Sequence, residues 1–210
     1  MALSAYIAGL ASGLSLIVAI GAQNAFVLQR GLRGEHVFAV CLACALSDAV
    51  LIAAGVAGLR QMLALAPWLD AALRYAGAAF LVWYGARSLR SALRSQEALV
   101  VGGGGAAALG PTLGPTLAAT LATCLALTWL NPHVYLDTMV LLGTLSTRHP
   151  DAEAFFAFGA ITGSFAFFFG LGYGAAWLRP LFARPSSWRV LEGVIAAVMW
   201  SIALGLLMDR

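Results

Sequence analysis

Charge is what this 210-residue chain has least of: Asp, Glu, Lys and Arg together make up 10%, against 61% hydrophobic residues, and mean hydropathy is +0.89. So little charge cannot give one soluble core a wetted surface, which excludes an ordinary globular domain in water. Lysine is absent altogether. All 12 basic residues are arginine, and a net charge of +3 spread this thinly is no nucleic-acid footprint. The three cysteines, Cys41, Cys44 and Cys124, fall inside apolar runs, so a disulfide framework is not expected. "CLAC" at 41–44 has no second cysteine pair or nearby histidine in the sequence, and helix packing accounts for it better than a metal pair. Also missing are a nucleophile motif, an HExxH and a cofactor loop, so neither an enzyme nor a cofactor is expected. No Lys or Arg precedes the first apolar run, which is longer than a signal-peptide core and is expected to stay in place.

What the chain does have is long hydrophobic runs, at about 3–28, 37–59, 64–86, 112–146, 154–178 and 190–207. A span needs about 20 apolar residues to cross about 30 Å of hydrocarbon. The reading is therefore an all-α membrane protein of six transmembrane helices with little outside the bilayer. Arg30, Arg33, Arg87, Arg90, Arg94, Arg179, Arg184 and Arg189 lie on one set of loops and ends, and Arg60, Arg74, Arg148 and Arg210 on the other. The arginine excess places the first set in the cytoplasm and both termini outside, in the periplasm.

Residues 95–114, with four consecutive glycines, form a flexible cytoplasmic linker between two three-helix units, 1–94 and 115–210. An offset of 116 lays Asp48 on Ser164, Gly58 on Gly174 and Gly77 on Gly193. The breaks "GAQNAF" and "WLNPHVY" in helices 1 and 4 align at an offset nearer 107. Three spans is an odd number, so the second unit enters the membrane from the opposite side. Inverted repeats with helices interrupted at matching places build secondary transporters, whose sites lie where the breaks meet near the midplane. Gly9 with Gly13, Gly159 with Gly163, and Gly170 with Gly174 have the spacing of close helix packing.

The polar residues inside these runs are the candidate site. Asp48 and Asp137 would each cost roughly 2.5–3.5 kcal/mol at the bilayer centre, more than structural glue requires, so they are read as functional. Pro132 removes a backbone donor and frees carbonyls before it, and Asn131 is placed to cap a new half-helix. That half-helix would carry His133 and Asp137 on one face, with His133 read as a packing partner for Asp137. Its positive end suits a carboxylate and the freed carbonyls a cation. Gly21, Gln23 and Asn24 supply a flexible point and two amides at the matching break in helix 1. As acid and base of a membrane-embedded enzyme, His133 and Asp137 would lack any accompanying motif. An alternative is a divalent or heavy-metal cation exporter, with Cys41, Cys44 and Asp48 on one helix face and His133 with Asp137 on another.

Four segments, "GAQNAFVLQRGL" (21–32), "SDAVLI" (47–52), "GAAFLVWYGARSLR" (77–90) and "WLNPHVYLDT" (129–138), resemble the LysE/ArgO family of basic amino-acid exporters over nearly the whole chain. Related neutral amino-acid exporters of the RhtB type usually show Pro-Gly-Pro-Asn where this chain has Gly21, Ala22, Gln23 and Asn24. Helices 5 and 6 match only in character. The resemblance implies export of L-arginine or L-lysine across a bacterial inner membrane, with Asp48 and Asp137 as paired acids. Expelling a cation against an inside-negative potential costs about 2.3 kcal/mol per 100 mV, roughly a fiftyfold adverse gradient. Exchange for at least one proton is therefore expected, with the bilayer as surroundings and no nucleic-acid partner. The sequence leaves open arginine against lysine, the stoichiometry and whether the chain forms a homo-oligomer.

Overall fold

The computed structural model describes residues 1–18, 21–59, 67–94, 116–183 and 185–208. The side chains of Leu59, 67–74, Arg94, His133, Ala183 and Pro185, and the 95–114 linker, lie outside that description. The protein is an all-α membrane protein. In chain order its helices are α1 (Ala2–Ile17), α2 (Ala22–Arg33), α3 (Val37–Ala54, continued over Gly55–Leu59 with a kink at Gly58), α4 (Pro67–Arg94) and α5 (Leu117–Trp129). There follow α6 (Pro132–Tyr135, then a π-helix over Leu136–Leu141), α7 (Leu142–Ser146), α8 (Glu153–Gly174, continued as a 3₁₀ helix over Ala175–Ala183) and α9 (Pro185–Met208).

Among the described residues, Val37–Gly58, Glu153–Phe182 and Ser186–Met208 are long and apolar enough to span a membrane. The expected first span is a broken one, α1 and α2 meeting at 83° across a short gap. The expected fourth run also divides, into α5 and the α6–α7 pair, each too short to cross alone. The expected third run is a helix too, but α4 reaches past the apolar stretch to Arg94 and does not meet the same apolar criterion. Its last turns carry Arg87 and Arg90, which have no place in hydrocarbon.

Packing follows from small residues. Helix α1 lies along α8, α4 along α9, and α3 between α8 and α5. A methyl group on Gly9 would run into the Phe156 carbonyl and one on Gly159 into the Tyr6 carbonyl, while Gly13 abuts Ala160. Three glycines therefore let α1 and α8 approach backbone to backbone, as small-residue spacing predicts. The third expected pair fails: a methyl on Gly170 or Gly174 would meet no neighbour among the described residues. Phe26, Val40, Cys41, Cys44, Leu81, Leu127 and Met199 are buried where α2, α3, α4, α5 and α9 converge. Leu3, Val50, Phe158, Trp177, Val194 and Leu204 point outward, the inverse of a water-soluble surface and the natural state of a lipid-facing one.

Helix α2 shows the local logic of an end. Gly34 adopts φ +70, the left-handed conformation that glycine takes without a Cβ penalty, and the Gly34 and Glu35 amides bond back to the last carbonyls of the helix. Arg179 Nη2 donates to the Gly31 carbonyl at 3.1 Å, placing positive charge at the negative helix end.

Candidate functional site

Both helix breaks are held open by a side chain that reaches back across them. At the first, Gly21 is extended (φ −121, ψ 172) before α2 begins, and Asn24 Nδ2 donates to the Ile17 carbonyl at 2.7 Å. At the second, α6 starts on Pro132, whose missing N–H is no loss at a helix's first position, and Tyr135 Oη donates to the Trp129 carbonyl at 2.9 Å. A carbonyl freed by a break would be expensive to leave bare in hydrocarbon. Each break thus carries its own donor. Asn131, expected as the cap, precedes Pro132 and is buried, and its carbonyl accepts the Val134 amide at 3.2 Å.

Between the breaks lies a cavity of about 200 Å³. Six of the residues singled out from the sequence line it: Gly21, Gln23 and Asn24 from the first break, Asp48 from α3, and Asn131 and Asp137 from the second. Apart from Thr138, the rest of the wall is apolar, with Leu16, Ile17, Leu142, Phe168 and Ile202 its larger side chains. A mostly apolar pocket with a few convergent polar groups is the general form of a small-molecule site. Pro132 starts the half-helix but does not line the cavity. The side chain of His133, expected to pack on Asp137, lies outside the described residues.

Asp48 is 3% exposed, and its Oδ2 accepts the Ser164 hydroxyl at 2.8 Å. Ser164 comes from α8 in the other half of the chain, 116 residues on, the residue that the repeat offset lays on Asp48. Next to Asp48, the Ser47 hydroxyl receives Trp129 Nε1 at 3.1 Å, tying the second break to α3. The Gln23 amide nitrogen, buried in the cavity wall, finds no hydrogen-bond acceptor among the described residues. A bound acceptor would satisfy it. Asp137 sits in the π-helix Leu136–Leu141, where the Leu142 amide reaches back five residues to its carbonyl. A π-turn widens the helix and swings side chains off the ordinary α-helical face, and such turns recur at functional sites. The residue spacing that would set His133 and Asp137 on one α-helical face therefore does not apply unmodified there.

The sequence reading missed the part of Ser164 as a partner to Asp48, although the 116-residue offset had put the two in register. It also missed Cys124 beside Cys44, their sulfurs 3.3 Å apart, which no spacing along the chain reveals. All three cysteines are free and buried. Among the described residues no three His, Cys, Asp or Glu side chains group as metal ligands. Of the two glycine pairs that the repeat offset aligns, one does not play matched parts: Gly77 abuts the Leu130 carbonyl, whereas a methyl on Gly193 would meet no neighbour among the described residues.

Known proteins resemble this chain in sequence. No solved structure matches the chain. The arginine exporter protein ArgO of Shigella flexneri and that of Escherichia coli K12 are each 42% identical to it over 207 residues, covering 98% of this chain and 94% of the relative. ArgO of Salmonella schwarzengrund is 42% identical over 205 residues, covering 97% and 93%. The family described as LysE type translocator matches residues 14–210, from the first break through α9, and the chain belongs to that family.

Proposed function

We propose that this protein is a secondary active exporter of basic L-amino acids, arginine before lysine, from the bacterial cytoplasm across the inner membrane in exchange for protons. One observation carries the reading: a single cavity at the meeting of two broken helices collects two carboxylates, three side-chain amides and the start of a half-helix. Arginine has two cationic groups and one carboxylate. Asp48 and Asp137 answer the cations, and the amide of Gln23 with the N-terminal end of α2 answers the carboxylate. The curated relatives' name, arginine exporter, supports arginine as the first substrate to test.

The inverted-repeat reading, six spans in units 1–94 and 115–210, is supported by the order broken helix, long helix, long helix, which occurs twice. It is supported too by Asp48 meeting Ser164 where α3 crosses α8, as register mates do beside a two-fold axis. In such a frame one half rocks against the other around a fixed site, and the site opens to each side in turn. An acid that binds the cation on one side and a proton on the other couples the two flows. Because cation efflux runs against an inside-negative potential, the proton is what makes export favourable.

Purified protein in liposomes loaded separately with arginine, lysine, ornithine, leucine or cadmium, with efflux followed under a set pH difference, tests this directly. Arginine efflux driven by the gradient is the expected result. Leucine in its place would overturn the basic specificity, and cadmium would establish the metal-exporter alternative.

A further inference from the structure

About 10 Å along α2 from Gln23, at 1.5 Å per residue, Arg30 opens onto a second cavity, of about 140 Å³. It is walled by α2, α4, α5 and α9 and differs in kind from the first. Three guanidinium groups, Arg30, Arg33 and Arg87, face one carboxylate, Glu192. Ser88, Ser91, Thr120 and Thr123 line it as well, with Gln29 and Tyr84. Glu192 is already engaged, accepting Gln29 Nε2 at 2.7 Å and Arg33 Nη2 at 3.3 Å. Arg30 is paired with Glu35 and lies over the Phe26 ring at 5.0 Å.

Two buried donors that line this cavity find no hydrogen-bond partner among the described residues: the Thr120 hydroxyl, on a residue 1% exposed, and Arg30 Nε, on one 8% exposed. Arg87 is exposed at the rim, its guanidinium 6.0 Å from the Trp83 ring. An excess of positive charge excludes a cationic solute here, so this is not a second seat for the exported amino acid. Forked guanidinium donors with buried hydroxyls suit a group that offers several acceptor oxygens at once. The cavity also lies between helices on the side where the arginines gather, the setting in which basic pockets take lipid headgroups.

We propose that this cavity binds a phosphate oxyanion, supplied by the phosphodiester of an anionic lipid headgroup or by inorganic phosphate. Binding would tie α2 to α4, α5 and α9, and it does not depend on which solute the central cavity carries.

Native mass spectrometry of the full-length protein tests the site, with phosphatidylglycerol, phosphatidylcholine and inorganic phosphate as separate probes. The wild type is expected to retain the anion, and Arg87→Gln and Thr120→Val each to weaken retention about tenfold. Arg87→Lys, which keeps the charge, should recover part of that loss, and Arg148→Gln, outside the cavity, should change nothing. Retained phosphatidylglycerol that inorganic phosphate displaces identifies the lipid as the source; phosphate binding without lipid identifies the free ion. Retention of phosphatidylglycerol and phosphatidylcholine alike, unchanged in Arg87→Gln and Thr120→Val, would overturn the proposal. So would binding of neither phosphatidylglycerol nor phosphate.

Discussion

Asp48 is the residue on which the central cavity turns, because a carboxylate buried to this degree is kept only where something repays its desolvation. One hydroxyl, that of Ser164, is its described partner. That bond orients the carboxylate at the cavity wall. Replacing Asp48 or Asp137 by Asn keeps the shape and removes the charge. Each variant should insert normally and lose arginine efflux to background in the liposome assay, and normal efflux in both would refute the site. Ser164→Ala should act more gently, weakening arginine affinity about tenfold, the scale of one hydrogen bond to a charged group. Glu192 adds a lesson at the same scale. A carboxylate buried within an apolar run was visible in the sequence by the rule that singled out Asp48, but only the fold supplied Arg33 and Gln29 as its partners.

Elements are defined here by where they stop. Asn24 and Tyr135 bridge the two breaks by the same device, a side chain returned to a carbonyl six or seven residues earlier. Asn24→Ala and Tyr135→Phe each remove one such bond. A cost of about 1 kcal/mol follows, seen as about 2–4 °C of melting temperature for a chain of this size. Glycine positions divide more sharply. Gly9→Val and Gly159→Val press a side chain into a backbone carbonyl that cannot move aside, and overpacking of that kind costs about 1–3 kcal/mol. Gly170→Ala has open space and should leave melting unchanged. Each of these three glycines belongs to a pair of the same four-residue spacing in the sequence, Gly9 with Gly13, Gly159 with Gly163 and Gly170 with Gly174. Spacing says which residues share a helix face but not what that face meets, so one pair in three was misread.

For the whole molecule, the arginine distribution and the repeated element order make one joint prediction. Single cysteines placed at Arg90 and at Arg148, with the three native cysteines replaced, should react with a membrane-impermeant thiol reagent from opposite sides of the membrane. Labelling of both from one side would remove the inverted topology. Proton coupling belongs to this scale as well. Collapsing the pH difference across sealed, inverted membrane vesicles should stop arginine accumulating above its outside concentration, since uphill transport against the potential needs the proton gradient.

The sequence by itself determined the class of fold, because 61% hydrophobic residues in long runs admit no other solvent than lipid. It determined the two interruptions, since Pro132 and Gly21 act on their own backbone whatever surrounds them. It also determined most of the polar residues at the central cavity, because an amide or carboxylate inside an apolar run needs a reason wherever the run lies. Tertiary structure alone decided the rest. It set α2 at 83° to α1, brought Ser164 to Asp48 and Cys124 to Cys44, left Gly170 and Gly174 without a neighbour among the described residues, and gathered three arginines around Glu192. The reason is one of range. Backbone chemistry and solvent preference act within a few residues and can be read in order, whereas contacts between helices depend on rotation and crossing angle, which no single stretch of the chain contains.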